Sequence, residues 1–206
     1  MLRKLRRPNP PVSNRTEPVI VVSGLPRSGT SMMMKMLSEG GLEVVTDAIR
    51  AADEDNPNGY FEFEPVKQLT DGQAGWLKDA GGKLIKVISA LLEYLPASHE
   101  YKVVFMEREI REILASQQKM LQRRNEASKT PDEELSAQFK EHLKAIKYWL
   151  ARQPHISVKY VDYNRLMADP DAQCRPVAEF LGVPLDVERM RSVPNERLYR
   201  NRAAPP

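Results

Sequence analysis

Cysteine, histidine and long apolar runs are all scarce in this chain. A single cysteine, Cys174, excludes an internal disulfide and a cysteine-rich metal site. The histidines His99, His142 and His155 stand far apart and lack ligand spacing, so no metal is expected. No apolar run nears the length of a membrane span. The start is basic, yet no hydrophobic stretch follows it, so it does not read as a secretory signal. A reducing cytoplasm is therefore the expected location. Acids are missing from the first fifteen residues, where Arg3, Lys4, Arg6, Arg7 and Arg15 hold much of a net charge of +3. The remainder is near balance, which argues against a nucleic-acid binder.

What is present fits an ordinary soluble domain. At 206 residues, with 41% hydrophobic and 29% charged, the chain can bury a full core. Residues 1–18, rich in Arg, Pro and Asn, are expected to form a flexible basic arm, and residues 19–202 a single α/β domain. Short Val- and Ile-rich runs predict strands at Val19–Ser23, Lys83–Ile88, Tyr101–Met106 and Ile156–Val161, with Val44–Val45 as a candidate for another. Helices are expected after Thr30, from about Arg111 through Arg124, over Asp132–Arg152 and over Asp171–Leu181. Gly182 is the expected C-cap of the last. Strands alternating with helices predict a parallel sheet with helices on both faces, whose ligands bind beyond the carboxyl ends of the strands.

Residues 19–31, VIVVSGLPRSGTS, carry the most information. An apolar run empties into a Gly-rich turn, and a Ser/Thr pair then opens an apolar segment with Met32, Met33, Met34 and Met36. That order predicts strand, phosphate-cradling loop, helix, because free N–H groups at a helix start attract anions. Gly24 and Gly29 match the nucleotide loop G-x-x-x-x-G-K-[ST]. Thr30 stands where the lysine belongs, and the cation is Arg27, three residues earlier. A second signal follows the strand Tyr101–Met106. Arg108 lies at its carboxyl end, with Ser116 on the following helix. A planar fork of donors and a hydroxyl placed so can converge on one phosphate. The plainer alternative pairs Arg108 with Glu107 or Glu112 and leaves Ser116 exposed.

Together, SGLPRSGTS, the run KVISALLEYLP, and VVFMER with its serine eight residues on resemble the sulfotransferase family. Later, YVDYNRLMADP and the segment ending AEFLG resemble that family's later strand and helix. The resemblance implies a P-loop NTPase-like sulfotransferase fold and 3′-phosphoadenosine-5′-phosphosulfate (PAPS) as co-substrate, with no metal. It implies that Pro26, Arg27, Ser28, Gly29, Thr30 and Ser31 hold the 5′ end of PAPS, and that Arg108 and Ser116 hold the 3′-phosphate. Lys86 resembles the lysine that reaches the sulfate, with Lys83 the alternative if the strand register slips. The small-molecule branch keeps a histidine two residues after that lysine. Here the position is Ile88, so that base is excluded. A carboxylate base is expected instead, with Asp47 and Glu62 as candidates and Asp53-Glu54-Asp55 as competitors. Arg200 and Arg202 stand where the family closes a basic loop over the 3′-phosphate, though the Gly-containing form of that loop is missing.

The resemblance thus implies an enzyme that moves a sulfuryl group from PAPS to an acceptor hydroxyl or amine. A P-loop kinase or NTPase is a second reading, opposed by Thr30. A non-catalytic relative that binds nucleotide is a third. Residue types do not say whether the acceptor is a small molecule, a sugar, a lipid or a peptide, and a homo-oligomer stays open.

Overall fold

The computed structural model describes residues 17–47, 59–128 and 130–194. Four strands form one sheet in the order β2-β1-β3-β4: β1 (Val19–Gly24), β2 (Leu84–Lys86), β3 (Tyr101–Glu107) and β4 (Ile156–Asp162). Every pairing in it is parallel. Parallel neighbours need crossovers, and helices supply them. Between β1 and β2 runs α1 (Thr30–Glu39), and between β3 and β4 run α2 (Ile110–Arg123) and α3 (Asp132–Leu150). After β4 come α4 (Tyr163–Ala168), α5 (Pro170–Leu181) and α6 (Val187–Arg191). The expected parallel sheet flanked by helices is therefore present.

Strand parity sorts the core. Ile20, Val22, Leu84, Val104 and Met106 point to one face and pack with α1, α4, α5 and α6. Val19, Val21, Ile85, Val103 and Phe105 point to the other and pack with α3 and three 3₁₀ segments, Glu64–Asp71, Gly75–Asp79 and Ser89–Tyr94. β1 is central and buried along its whole length, which is why Val19–Val22 run continuously apolar rather than alternating. Met32, Met33, Met34 and Met36 fill the space between α1 and the sheet as unbranched, adaptable side chains. Cys174 is buried in that same layer, and desolvation, aided by Asp171, pushes its thiol up to about 11.

Several boundaries differ from expectation. β2 has three residues rather than six. The Val87 N–H still donates to the Val22 carbonyl at 3.1 Å, but the chain then turns into the 3₁₀ segment at Ser89. Val44 makes a single parallel bridge to Leu84 and no longer strand. Gly182 closes α5 in a left-handed conformation, φ 64°, as expected. The short helices α4 and α6 span too few turns for periodicity to register, yet Asp162 and Asp186 mark their starts as side-chain caps. Residues 1–16 and 195–206 lie outside the described residues, and with them most of the expected arm and tail.

Candidate active site

The loop after β1 is built by close approach. At Gly24 a Cβ would lie 2.5 Å from Ser28 Oγ and 2.6 Å from the Met106 carbonyl. At Gly29, φ 98°, a Cβ would lie 2.4 Å from the Tyr163 ring. Both positions therefore require glycine. Gly29 caps α1 with no side-chain bond, and the first turn of α1, which Thr30 and Ser31 open, carries no acid. The positive end of the helix dipole is left uncompensated by the first turn. Ser28 is 1% exposed, and its Oγ lacks a partner among the described residues. Pro26 is exposed at the crest of the loop.

Arg27 occupies the left-handed region at φ 68°. Its Nε donates to Ser116 Oγ at 3.0 Å, 89 residues away in sequence. Arg108 Nη1 donates to the Arg27 carbonyl at 3.1 Å. The structure thus brings Arg27, Arg108 and Ser116 together at the adjacent tips of β1 and β3. The plainer pairing of Arg108 is present as well, since its Nε donates to Glu112 Oε2 at 2.9 Å. Ser116 is 5% exposed, so the alternative of an exposed helix position is set aside. Glu112, a partner the sequence offers for Arg108, completes the arrangement with Tyr163 and Asn164, which the sequence reading does not single out. Asn164 Nδ2 donates to Glu112 Oε1 at 2.9 Å, and the Arg108 guanidinium lies 4.3 Å from the Tyr163 ring centroid. The signal for Glu112 was its i+4 spacing from Arg108. For Tyr163 and Asn164 it was their place in YVDYNRLMADP.

Lys86 ends β2 on the same face as Leu84, the face that α1 covers. Its Nζ donates to Ser31 Oγ at 3.3 Å and to the Tyr60 carbonyl. Lys83 sits at the other end of the strand, paired with Glu43 at 2.7 Å. The register alternative is thereby corrected: Lys83 is turned to another partner and Lys86 reaches the loop. Ile88, where the small-molecule branch keeps histidine, is 43% exposed.

The candidate bases stand on a separate lip. Asp47 Oδ2 accepts the Glu64 N–H at 2.6 Å, and the Glu62 carbonyl accepts from Asp47 N–H and Thr46 Oγ1. Both carboxylates lie close enough to Lys67 to help Glu64 hold its amine above the usual lysine range, with the Glu64 hydrogen bond the leading cause. Asp53, Glu54, Asp55, Arg200 and Arg202 lie outside the described residues. Glu107, where an NTPase of this type would present a magnesium-binding acid, pairs with Lys147 of α3. Among the described residues no cluster of three or more His, Cys, Asp or Glu side chains is placed to hold a metal. No helix among them is long and apolar enough to cross a membrane.

Comparison with known proteins agrees with this architecture. The chain is similar in structure to sulfotransferase STF1 from Mycobacterium tuberculosis, with TM-score 0.58 and 17% identity over 87% of this chain and 70% of that one. It is similar to the sulfotransferase domain of the Synechococcus olefin synthase, with TM-score 0.51 and 15% identity over 91% of this chain and 80% of that domain. Mouse sulfotransferase SULT7A1, solved with PAP, gives TM-score 0.51 and 14% identity over 92% and 68%. No curated protein matches in sequence. These likenesses show the fold. The sulfotransferase-domain family model matches residues 17–202, a span that takes in the glycine loop, the β2 lysine and the arginine–serine pair after β3, and so the chain belongs to the sulfotransferase family.

Proposed function

We propose that this chain transfers the sulfuryl group of PAPS to an acceptor hydroxyl or amine, releasing PAP. The observation that carries the reading is the meeting of Arg27, Arg108 and Ser116 at neighbouring strand tips. A ligand anionic at both ends suits such a place, because guanidinium forks and a hydroxyl offer directed donors. The buried, unpartnered hydroxyl of Ser28 and the two positions with no room for a Cβ fit a loop that takes an oxyanion.

PAPS supplies an activated sulfuryl group on a 5′-phosphate. Residues Pro26–Ser31 hold that end, and Arg108 and Ser116 hold the 3′-phosphate, with Arg200 and Arg202 assigned to the same end. Arg27 offsets charge that grows on the transferring group, and Lys86 offsets charge on the leaving phosphate. Asp47 or Glu62 takes the acceptor's proton. The acceptor is a small molecule, sugar, lipid or peptide that enters past the lip of residues 43–47 and 59–64.

A thermal shift series tests the reading. A ligand that binds only the native state at one hundred times its Kd stabilises by about 2.7 kcal/mol. PAP is expected to raise the melting temperature, and ATP with Mg²⁺ to leave it in place. The reverse pattern supports a P-loop kinase and overturns the proposal. PAP binding without transfer to any acceptor supports a non-catalytic relative.

A further inference from the structure

We propose that Glu112, Asn164 and Tyr163 are positioning residues that aim Arg108, and that this aim, more than the charge of Arg108, sets the preference for a ligand with a 3′-phosphate. The proposal rests on the PAPS reading above. Among the described residues, Arg108 is gripped from three directions. Its Nε is on Glu112 Oε2 at 2.9 Å, its Nη1 is on the Arg27 carbonyl at 3.1 Å, and its Cζ lies over the Tyr163 ring, 4.3 Å from the centroid. The grips come from α2, from the glycine loop and from the first residue of α4. Glu112 is itself fixed, since its other oxygen accepts from Asn164 Nδ2 at 2.9 Å.

Burial decides what this arrangement does. The side chains of Arg108 and Glu112 are 7% and 2% exposed. A full carboxylate so close cancels much of the field that Arg108 would project, so long-range attraction of an anion is a poor account of its task. A guanidinium fork held rigid offers directed N–H groups instead, and loses little freedom when a phosphate arrives. Breaking a buried pair leaves an uncompensated charge, which makes the pair persistent. The corner after β4 serves two ends of the site. Tyr163 fills the space where a Cβ of Gly29 would sit, and so packs against the loop and Arg108 at once. Asp162 caps the turn that presents both residues, accepting the Arg165 N–H at 2.9 Å.

The test compares PAP with AMP, which lacks the 3′-phosphate, by calorimetry on the full chain. Losing a buried residue that orients a ligand-binding group typically costs about tenfold or more in affinity. Asn164→Leu and Glu112→Gln are each expected to weaken PAP by about that factor and to leave AMP within about twofold. Asn164→Leu keeps the Arg108–Glu112 pair, so it stands if Glu112→Gln fails to fold. Arg108→Lys, which keeps charge and loses the fork, is expected to lose the preference as fully as Arg108→Ala. Equal weakening of both ligands, an unchanged PAP preference, or wild-type preference in Arg108→Lys overturns the proposal. A wild-type chain that binds PAP no better than AMP overturns the PAPS reading itself, and this proposal with it.

Discussion

The two sides of the candidate site are built differently. At the tips of β1 and β3, polar groups from four parts of the chain are tied to one another, Arg27 to Ser116, Arg108 to Arg27 and Glu112, and Asn164 to Glu112, and of these Glu112 and Ser116 are buried. On the lip, Asp47 and Glu62 are part-buried, and bonds to backbone groups join their two stretches. Asp47 Oδ2 takes an amide, and the Glu62 carbonyl takes an amide and a hydroxyl. A fixed half suits an unvarying ligand. A half carried largely on loops suits the side from which an acceptor enters. Lys86 spans the two, reaching Ser31 of α1 and the Tyr60 carbonyl of the lip.

That contrast can be broken by substitution. The largest effect is expected at Arg27→Ala, with transfer falling by about a thousandfold, the cost of losing a group aimed at developing charge. Its melting temperature should stay near that of the wild type, because the residue is only part-buried. Unchanged turnover would remove Arg27 from the chemistry. Next come Asp47→Asn and Glu62→Gln. One of them should lower kcat by about a hundredfold, as removal of a general base does. If both keep full activity, the lip holds no base. Lys86→Ala follows, with kcat down by about tenfold and the Kd for PAPS nearly unchanged, because the charge it offsets grows on the 5′-phosphate only as the bond to sulfur breaks. A matched loss of PAPS binding would move Lys86 to the fixed half. The smallest effect separates chemistry from capping. Asp47→Ala should cost about 1 kcal/mol in denaturant unfolding, whereas Asp47→Asn keeps an oxygen for the Glu64 N–H and should cost almost nothing.

Much of the fixed half was legible in sequence. The Gly24–Gly29 spacing, the valine run ahead of it and the Arg108–Ser116 offset are local patterns, and each maps onto one strand tip or one helix turn. β2 was overextended because Val87 and Ile88 look like strand residues, although only Val87 still bonds to β1. The lysine register could not be settled in sequence. Lys83 and Lys86 are three apart, so they face opposite sides of a strand, and only packing against α1 selects between them. The partners of Asn164 and Tyr163 lie 52 residues or more away, and separation of that kind leaves no trace in spacing. On the lip, Asp47 and Glu62 were identified as acids, but the ladder joining residues 46–47 to 62 needs coordinates.

One feature reaches beyond this chain. Residue 27 keeps an arginine at φ 68°, where glycine or asparagine would rest more easily, at a standing cost of about 1–3 kcal/mol. Drift alone would trade it away, and the fold would gain from the exchange. On the role proposed above, a lineage that retains arginine here is under selection for what the guanidinium does. A descendant with glycine at this codon should prove sturdier and silent, which makes this one position a gauge of whether a relative still works.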